Sequence, residues 1–525
     1  MEVKPKSVAS GSGTGFKRTP VAHADLRSWI AALDKAGELD TVNGEVDWNI
    51  ELGTLTRLAL GPGTGKALLF KNIKGYNKPD SRCGQMFVSG LAAYSRIAMM
   101  MGLPRDTHPR ELVKLGRTVL EGRVAPRTVK DAPCKEVIVK GKDVNLDDFP
   151  SPLWNRPDGG RYILTYAGVI SKDPASGTHN IGIYRGMVAS KNEIPMLMWR
   201  AQNIGHHVAA WQQAGHKRMP IAVAIGCEPT FGFCASAPIT RGVCEYDVMG
   251  AIRGAPVDLV KCETSDLMVP ATAEIVIEGE LTLDPADYVM EGPFAEFTGY
   301  VAGDKSPKPC IKITAITHRR NPILTGAIEG ALPGSYSENG ICSSIMRAGV
   351  AWNVLDRAGV PGVVDVWCPP VQMGINTTVA IQQGYRNQAK QVGHALWGSA
   401  AGHVRYKHVT VVDDDIDIHD YGAVDWAIAY RVNAGEDDVI IAPSTFGAGL
   451  DPSTRKRDRN AATFGTGKWA RVLIDATMNL DYDPDPDFGG LRYPPLIWPS
   501  EDDRKAAHAR WKELGLTPLD ERARR

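Results

Sequence analysis

The sequence predicts a multidomain α/β protein with a β-rich centre, and three observations carry that prediction. At 525 residues the chain exceeds the roughly 250–300 residues beyond which a single hydrophobic core stops growing. Between residues 126 and 325, short β-prone runs recur between Gly, Pro and Asp turns, the pattern of an antiparallel sheet or barrel. After residue 326, helical and strand patterns alternate, as in α/β domains. The reading divides the chain into an arm (1–20), an N-terminal α/β region (21–125), the β-rich region (126–325), a linker helix (326–355) and a C-terminal α/β domain (356–525).

The arm is rich in Gly, Ser and Lys. The first helix follows it: Asp25 is placed to cap, Leu26, Trp29, Ile30 and Leu33 fall at i, i+3, i+4 and i+7, and Gly37 is placed to end it. In the β-rich region the runs KEVIVKG, YILTYAGVI, PIAVAIG, AEIVIEGEL and IKITAITH read as strands. Beyond it come a helix around CSSIMRAGVAWNVLDRAG, the strand GVVDVWCPP, a helix around QGYRNQAKQVGHALWG and the strand HVTVVDD. EDDRKAAHARWKELG reads as a surface helix charged on most of its circumference.

Composition narrows the function. Sixty basic residues balance sixty acidic ones, so the whole chain carries no electrostatic footprint for nucleic acid or an anionic membrane. The first twenty residues lack the apolar core of a signal peptide, and no run of about 18 apolar residues follows. Nine cysteines without a CxxC pair suit reduced thiols in a large chain. The expectation is a cytoplasmic protein acting on a small molecule.

Two familiar-looking motifs fail on inspection. GPGTGKAL at 61–68 lacks a phosphate loop's first Gly and its hydroxyl residue, since Leu60 and Ala67 occupy those positions. Asp413, Asp415 and Asp417 have calcium-loop spacing, but Ile418 stands at the obligatory Gly and Val424 at the bidentate Glu. The reading there is a strand ending in a solvated acidic turn, and DYDPDPDFGG is read as an exposed loop.

Three stretches of the β-rich region hold polar residues with chemical meaning. HNIGIYRGMV places Asn180 and Arg185 in an apolar run; a buried guanidinium needs a partner or an anionic ligand, while a strand-edge Arg would reach solvent. WRAQNIGHHVAAW supplies Gln202, Asn203, His206 and His207, and RGVCEYD supplies Glu245, all donors for a hard cation without a diagnostic spacing. EGPFAEFTGY sets Glu291 and Glu296 five apart around Gly292 and Pro293. Regular structure would point residues at that spacing in different directions, and a Gly-Pro corner is able to bring them back together. An Arg that grips a carboxylate, one Glu that orients it and a second that passes a proton form one coherent set. A glycosidase or a structural ion-pair network would use the same residue types.

NIGIYRGMV, GVCEYDVMGAIRGAPVDLVKCETSDLMVPATAEIVIEGEL and EGPFAEFTGY resemble the UbiD family of reversible decarboxylases, whose ferulic acid decarboxylase branch uses prenylated FMN. The resemblance implies a split β-barrel, flavin reductase-like, as the cofactor domain, and a C-terminal domain that walls the active site and mediates a homodimer or homohexamer. It implies that Arg185 and Glu291 are the catalytic pair and Glu296 the acid that protonates the product. It also implies that Asn180 and Glu245 ligate Mn²⁺ (or Mg²⁺) on the cofactor phosphate, with K⁺ near Ala235 and Ser236. Asn203 stands where the family commonly has a metal-binding His, with His206 and His207 close by as alternatives. Positions matching the cofactor lining are Asn180, Ile181, Gly182, Ile183, Tyr184, Arg185, Gln202, Ser236, Ala237 and Pro238. A flavin prenyltransferase as cofactor supplier, and a carboxylic acid and CO₂ as substrates, complete the implication. The alternative enzyme is an FMN-dependent oxidoreductase on a split barrel, and a non-catalytic alternative is an assembly or cofactor-storage protein. Ile328, Met373 and GSYSENG (334–340) are candidates for the substrate wall.

Overall fold

The computed structural model describes residues 18–402, 404–436, 438–459 and 467–517; the arm read over 1–20 lies almost wholly outside the described residues. Contacts divide the chain into two compact units, Met1–Thr477 and Met478–Arg525.

The first helix spans Leu26–Lys35 and buries the four apolar residues its spacing singled out. Asp25 caps it by accepting from the Ser28 N–H at 2.8 Å, and the Ser28 hydroxyl returns the bond to the Asp25 N–H, a reciprocal cap that satisfies two otherwise open donors. A four-stranded sheet follows, from Leu39–Val42, Ala67–Phe70, Gln85–Val88 and Ile323–Gly326 in that order. Its last strand comes from far along the chain and runs parallel to Gln85–Val88. That return delivers Ala327–Gly330 to the centre of the molecule.

The β-rich region forms one seven-stranded sheet. Its spatial order is Glu193–Pro195, Cys310–His318, Ile275–Thr282, Arg218–Ile225, Gly168–Lys172 and His179–Ile183, with Val137–Lys140 also on Cys310–His318. Neighbouring strands are antiparallel throughout. Each run read as a strand from sequence lies in this sheet, except that YILTYAGVI is broken: Tyr162–Leu164 leaves to pair with Gly186–Met187. A continuous closed barrel is not formed among the described residues. The edge strand His179–Ile183 ends before Arg185, and beyond it the links to the opposite edge are irregular: isolated bridges Gly186–Met196 and Ser190–Glu193 and a bond from the Leu197 N–H to the Arg185 carbonyl. Regular strand pairing breaks where Arg185 sits.

The twenty-residue helix Glu338–Arg357 is capped by Ser337, whose hydroxyl accepts from Gly340 N–H. It leads to a five-stranded sheet ordered Val363–Trp367, Asn376–Ile381, His408–Asp413, Lys468–Ala476, Val439–Phe446. The acidic turn after His408–Asp413 is less solvated than its composition implies. Asp413 is buried, Arg431 bridges Asp413 and Asp415, and Arg110 takes Asp417 at 3.0 Å. Three aspartates used as ion-pair partners have no need of a calcium ion. Residues 61–64 make a turn into the strand Ala67–Phe70 with no helix after it, so no phosphate loop exists there. The second unit holds the helix Glu501–Arg510, none of whose residues is buried. Among the described residues no helix is long and apolar enough to cross a membrane.

Candidate active site

The segment 179–187 carries the site. Asn180 is the second residue of the strand His179–Ile183 and Arg185 follows the strand's end, about 16 Å further along if the backbone stays extended at roughly 3.3 Å per residue. Each lies in its own cavity, one lined by Asn180, Asn203, His207 and Arg241, the other by Arg185, Glu296 and apolar side chains. By the resemblance, the Arg185 end would be the ring end of a flavin and the Asn180 end its phosphate end.

At the ring end, Arg185 does not reach solvent; its side chain is only 6% exposed. Glu291 accepts from its Nε at 2.8 Å and from its Nη2 at 2.9 Å, a fork-on-fork pairing that fixes the guanidinium plane. The Tyr162 hydroxyl donates to the same Glu291 oxygen at 2.8 Å. The remaining nitrogen, Nη1, donates to Glu296, whose other oxygen accepts from the Phe297 N–H at 3.2 Å. Burial opposes the guanidinium charge, yet Glu296 and Glu291 together hold the Arg185 pKa above its ordinary value. A strand-edge Arg pointing into water is thereby excluded.

Both carboxylates arrive through the corner. Val289–Glu291 and Phe294–Ala295 are separate short strands, joined by Gly292 at φ +92° and a cis bond to Pro293. Gly292 is required here, because that φ is strained for any residue with a Cβ. Behind Arg185, the Phe294 ring lies 5.4 Å from the guanidinium carbon. The cavity of about 130 Å³ has Leu197, Trp199, Phe297 and Leu450 on its apolar side and Gln202, Glu329, Asn339 and Arg405 on its polar side.

At the phosphate end, the Ile181 N–H donates to Glu245 at 2.8 Å and the Asn180 amide lies 3.5 Å from its other oxygen. Asn180 Oδ1 is buried without a partner, and burial pushes the Glu245 carboxyl up to about 8. An orphaned acceptor beside a carboxylate with no cation on it is what a divalent ion would satisfy. Asn203 opens the helix Asn203–Gln213 and donates to the Ile239 carbonyl at 3.1 Å, leaving its oxygen for a ligand. His207 lines the same cavity and shares a hydrogen bond with Ser171 at 2.9 Å; burial lowers its pKa, keeping the ring neutral and able to ligate. His206 is half-exposed and does not line that cavity. Among the described residues no three His, Cys, Asp or Glu side chains converge as a metal site, so this cluster depends on amide oxygens.

Of the remaining cofactor positions, Ile181, Gly182, Ile183 and Tyr184 form the connecting segment. A Cβ on Gly182 would fall 2.6 Å from the Tyr184 ring, so the strand lies flat there. Gln202 caps the Asn203–Gln213 helix, accepts from the Trp199 N–H at 2.8 Å and lines the acid cavity. Ser236 follows Ala235, the last residue of a short helix, and donates to the Phe233 carbonyl at 2.8 Å; Ala237 and Pro238 continue the loop toward Ile239. Ile328 and Met373 are buried, and GSYSENG contributes Asn339 to the cavity wall. Sequence reasoning missed Tyr162, Glu329 and Arg405. The last is a buried guanidinium stacked 4.7 Å over Phe297. The one signal for Glu329 was a lone charge in an apolar setting, at TGAIEGAL, while Arg405 lies among other basic residues in GHVRYKHV and had none.

Fold and cavity together set one buried guanidinium between two carboxylates at the wall of a chamber. The chain belongs to the UbiD family of carboxy-lyases. Its 3-octaprenyl-4-hydroxybenzoate carboxy-lyase N-terminal, Rift-related and C-terminal domains match residues 30–115, 127–332 and 341–476. The pyrrole-2-carboxylic acid decarboxylase of Pseudomonas aeruginosa is 32% identical over 430 residues, 79% of this chain and 84% of that one. The phenolic acid decarboxylase of Bacillus subtilis is 33% identical over 465 residues, 87% and 93% of the two chains. Among solved structures, the vanillic acid decarboxylase of Sedimentibacter hydroxybenzoicus in closed form is similar with a TM-score of 0.82, 30% identity and coverage of 94% and 100%. The UbiD-class enzyme HmfF of Pelotomaculum thermopropionicum, in complex with FMN, is similar with a TM-score of 0.76, 31% identity and coverage of 92% and 99%; an evolved dimeric form of it is in complex with prenylated FMN.

Proposed function

We propose that the protein catalyses reversible, non-oxidative decarboxylation of an aromatic, heteroaromatic or α,β-unsaturated carboxylic acid, an aryl thioester acid included, with prenylated FMN as cofactor. One observation carries this reading: Arg185 is clamped by Glu291 through two nitrogens and offers its third to Glu296, at the wall of a buried cavity. The central sheet with its break at Arg185 is read as a split barrel that holds the flavin. Asn180 and Glu245, with Asn203 or His207, would hold Mn²⁺ or Mg²⁺ on the flavin phosphate. K⁺ near Ala235 and Ser236, a flavin prenyltransferase as supplier, self-association as a homodimer or homohexamer and the five-part division of the chain are carried by the resemblance.

When bound, prenylated FMN supplies an electrophilic centre for the carbon that bears the carboxylate. The chain does the rest. Glu291 and Tyr162 keep the Arg185 fork in one plane, so the substrate carboxylate meets a preorganised donor. Arg185 Nη1 is shared with Glu296, and two carboxylates repel when both press on one nitrogen; the arriving carboxylate displaces Glu296, which takes up a proton. CO₂ leaves against Phe297, Leu197 and Leu450, which also exclude water. Glu296 then delivers its proton to the vacated carbon.

The test is a panel of carboxylic acids offered to protein produced with a flavin prenyltransferase, read by CO₂ release and by exchange of ¹³C-bicarbonate into the acid. Exchange with at least one acid is expected, and pyridine-nucleotide oxidation without any CO₂ exchange would instead select the FMN oxidoreductase. Glu245→Leu is expected to lower the bound flavin by at least about tenfold, the scale on which metal-site partners act, as read by absorbance after gel filtration. Unchanged flavin content would remove Glu245 from the phosphate site.

A further inference from the structure

Two carboxyl groups line the acid cavity, Glu296 and Glu329. Glu329 follows the strand Ile323–Gly326, is 8% exposed and lines the cavity with Arg185 and Glu296. Its Oε1 is 3.5 Å from the Asn339 amide, the outer limit of a hydrogen bond, and its buried Oε2 has no partner. Arg57 donates to the backbone carbonyls of Glu329 and Gly330 rather than to the carboxyl. The segment is held against the Glu296 loop: the Ala331 N–H donates to the Phe297 carbonyl, and a Cβ on Gly330, at φ +91°, would fall 3.1 Å from the Glu296 carbonyl oxygen.

A buried carboxyl with an unused oxygen adds nothing to the fold. Burial, reinforced by Glu296, pushes Glu329 up to about 8, so at neutral pH it holds a proton. The groups facing it are Glu296, Arg57, Asn339 and Tyr166, with Arg185 and Arg405 across the cavity. A substrate carboxylate arriving on Arg185 presses against Glu296, and a proton passed from the neutral Glu329 relieves that like-charge contact.

We propose that Glu329 is the proton reservoir for Glu296, a role that rests on the decarboxylase reading. The proton leaves Glu329 Oε2 and reaches the Glu296 carboxylate, directly or through a cavity water. As the carbon–carbon bond to CO₂ breaks, its electron pair stays on the carbon. Glu296 gives up its proton there to form the new C–H bond. Glu329 then recovers a proton from solvent, so one solvent proton is consumed per CO₂ released.

Two measurements test this. Infrared spectra of flavin-free protein, native minus Glu329→Gln, are expected to show a carboxylic acid carbonyl band at neutral pH that vanishes through about pH 8. In flavin-loaded protein, Glu329→Gln is expected to lower kcat by about 100-fold at similar KM, the low end of the range of proton-transfer effects. It also removes the fall in kcat as pH rises past about 8, and Glu329→Asp recovers much of the rate. A missing acid band, or a Gln variant with the native rate and pH profile, overturns the proposal while leaving the decarboxylase reading intact. A present band with no CO₂ exchange from any acid overturns that reading and the proposal with it.

Discussion

Glu296→Gln, loaded with prenylated FMN, is expected to lose turnover by about 10²–10⁴-fold or more, the contribution of a positioned general acid, and to incorporate no deuterium from D₂O into the product. The substitution is close to isosteric. Its amide oxygen still accepts from Arg185 Nη1, and only the longer contact, from the Phe297 N–H to the second carboxylate oxygen at 3.2 Å, is lost. The guanidinium therefore keeps its pose through Glu291, and flavin content and melting temperature are expected to stay near native. Besides that contact, what disappears is the capacity to carry a proton to carbon. Turnover with deuterated product in this variant would remove Glu296 as the donor.

The two glutamates differ because their surroundings differ. Glu291 is wholly buried and every partner it has is a donor: two guanidinium nitrogens and the Tyr162 hydroxyl. It has no vacant position from which to exchange a proton. Glu296 has one guanidinium contact and faces the cavity, which is why the proposed mechanism has the substrate displace it rather than Glu291.

That inequality was partly legible in the sequence. Glu291, Gly292, Pro293 and Glu296 announce a bent segment, because regular structure at that spacing separates the side chains, and the positive φ at Gly292 is the bend. Strands were legible wherever β-branched residues alternate or run together, as in PIAVAIG and AEIVIEGEL. What was not legible depends on distant parts of the chain meeting. The strand Ile323–Gly326 pairs with Gln85–Val88 across more than two hundred positions, and that pairing brings Glu329 to the cavity. Arg405 arrives on a loop before the strand His408–Asp413, with no local pattern to mark it. The burial of Arg185 was equally non-local: its run reads as a strand that an exposed Arg could end, and only the arrival of residues 291–297 encloses it.

Arg185→Met is expected to abolish turnover and to destabilise the fold, and the two losses are separable. Removing one partner of a buried ion pair leaves the other charge uncompensated, a cost of about 3–5 kcal/mol, and Glu291 has no exposed surface through which water could replace the guanidinium. The double variant Arg185→Met/Glu291→Gln removes that stranded charge. Denaturant unfolding is expected to show the double variant more stable than the single, because a buried pair is often replaceable by neutral groups of similar size. Turnover stays absent in both, since neither Met nor Gln offers a fork to a carboxylate. Arg185→Lys tests the same point from the other side: it keeps the charge and gives up the planar two-nitrogen grip on Glu291, so it is expected to retain more stability than Arg185→Met but little of the rate. If the double variant decarboxylated at the native rate, Arg185 would be a structural ion-pair partner and the carboxylate clamp would lie elsewhere in the cavity, with Arg405 the remaining guanidinium on its wall.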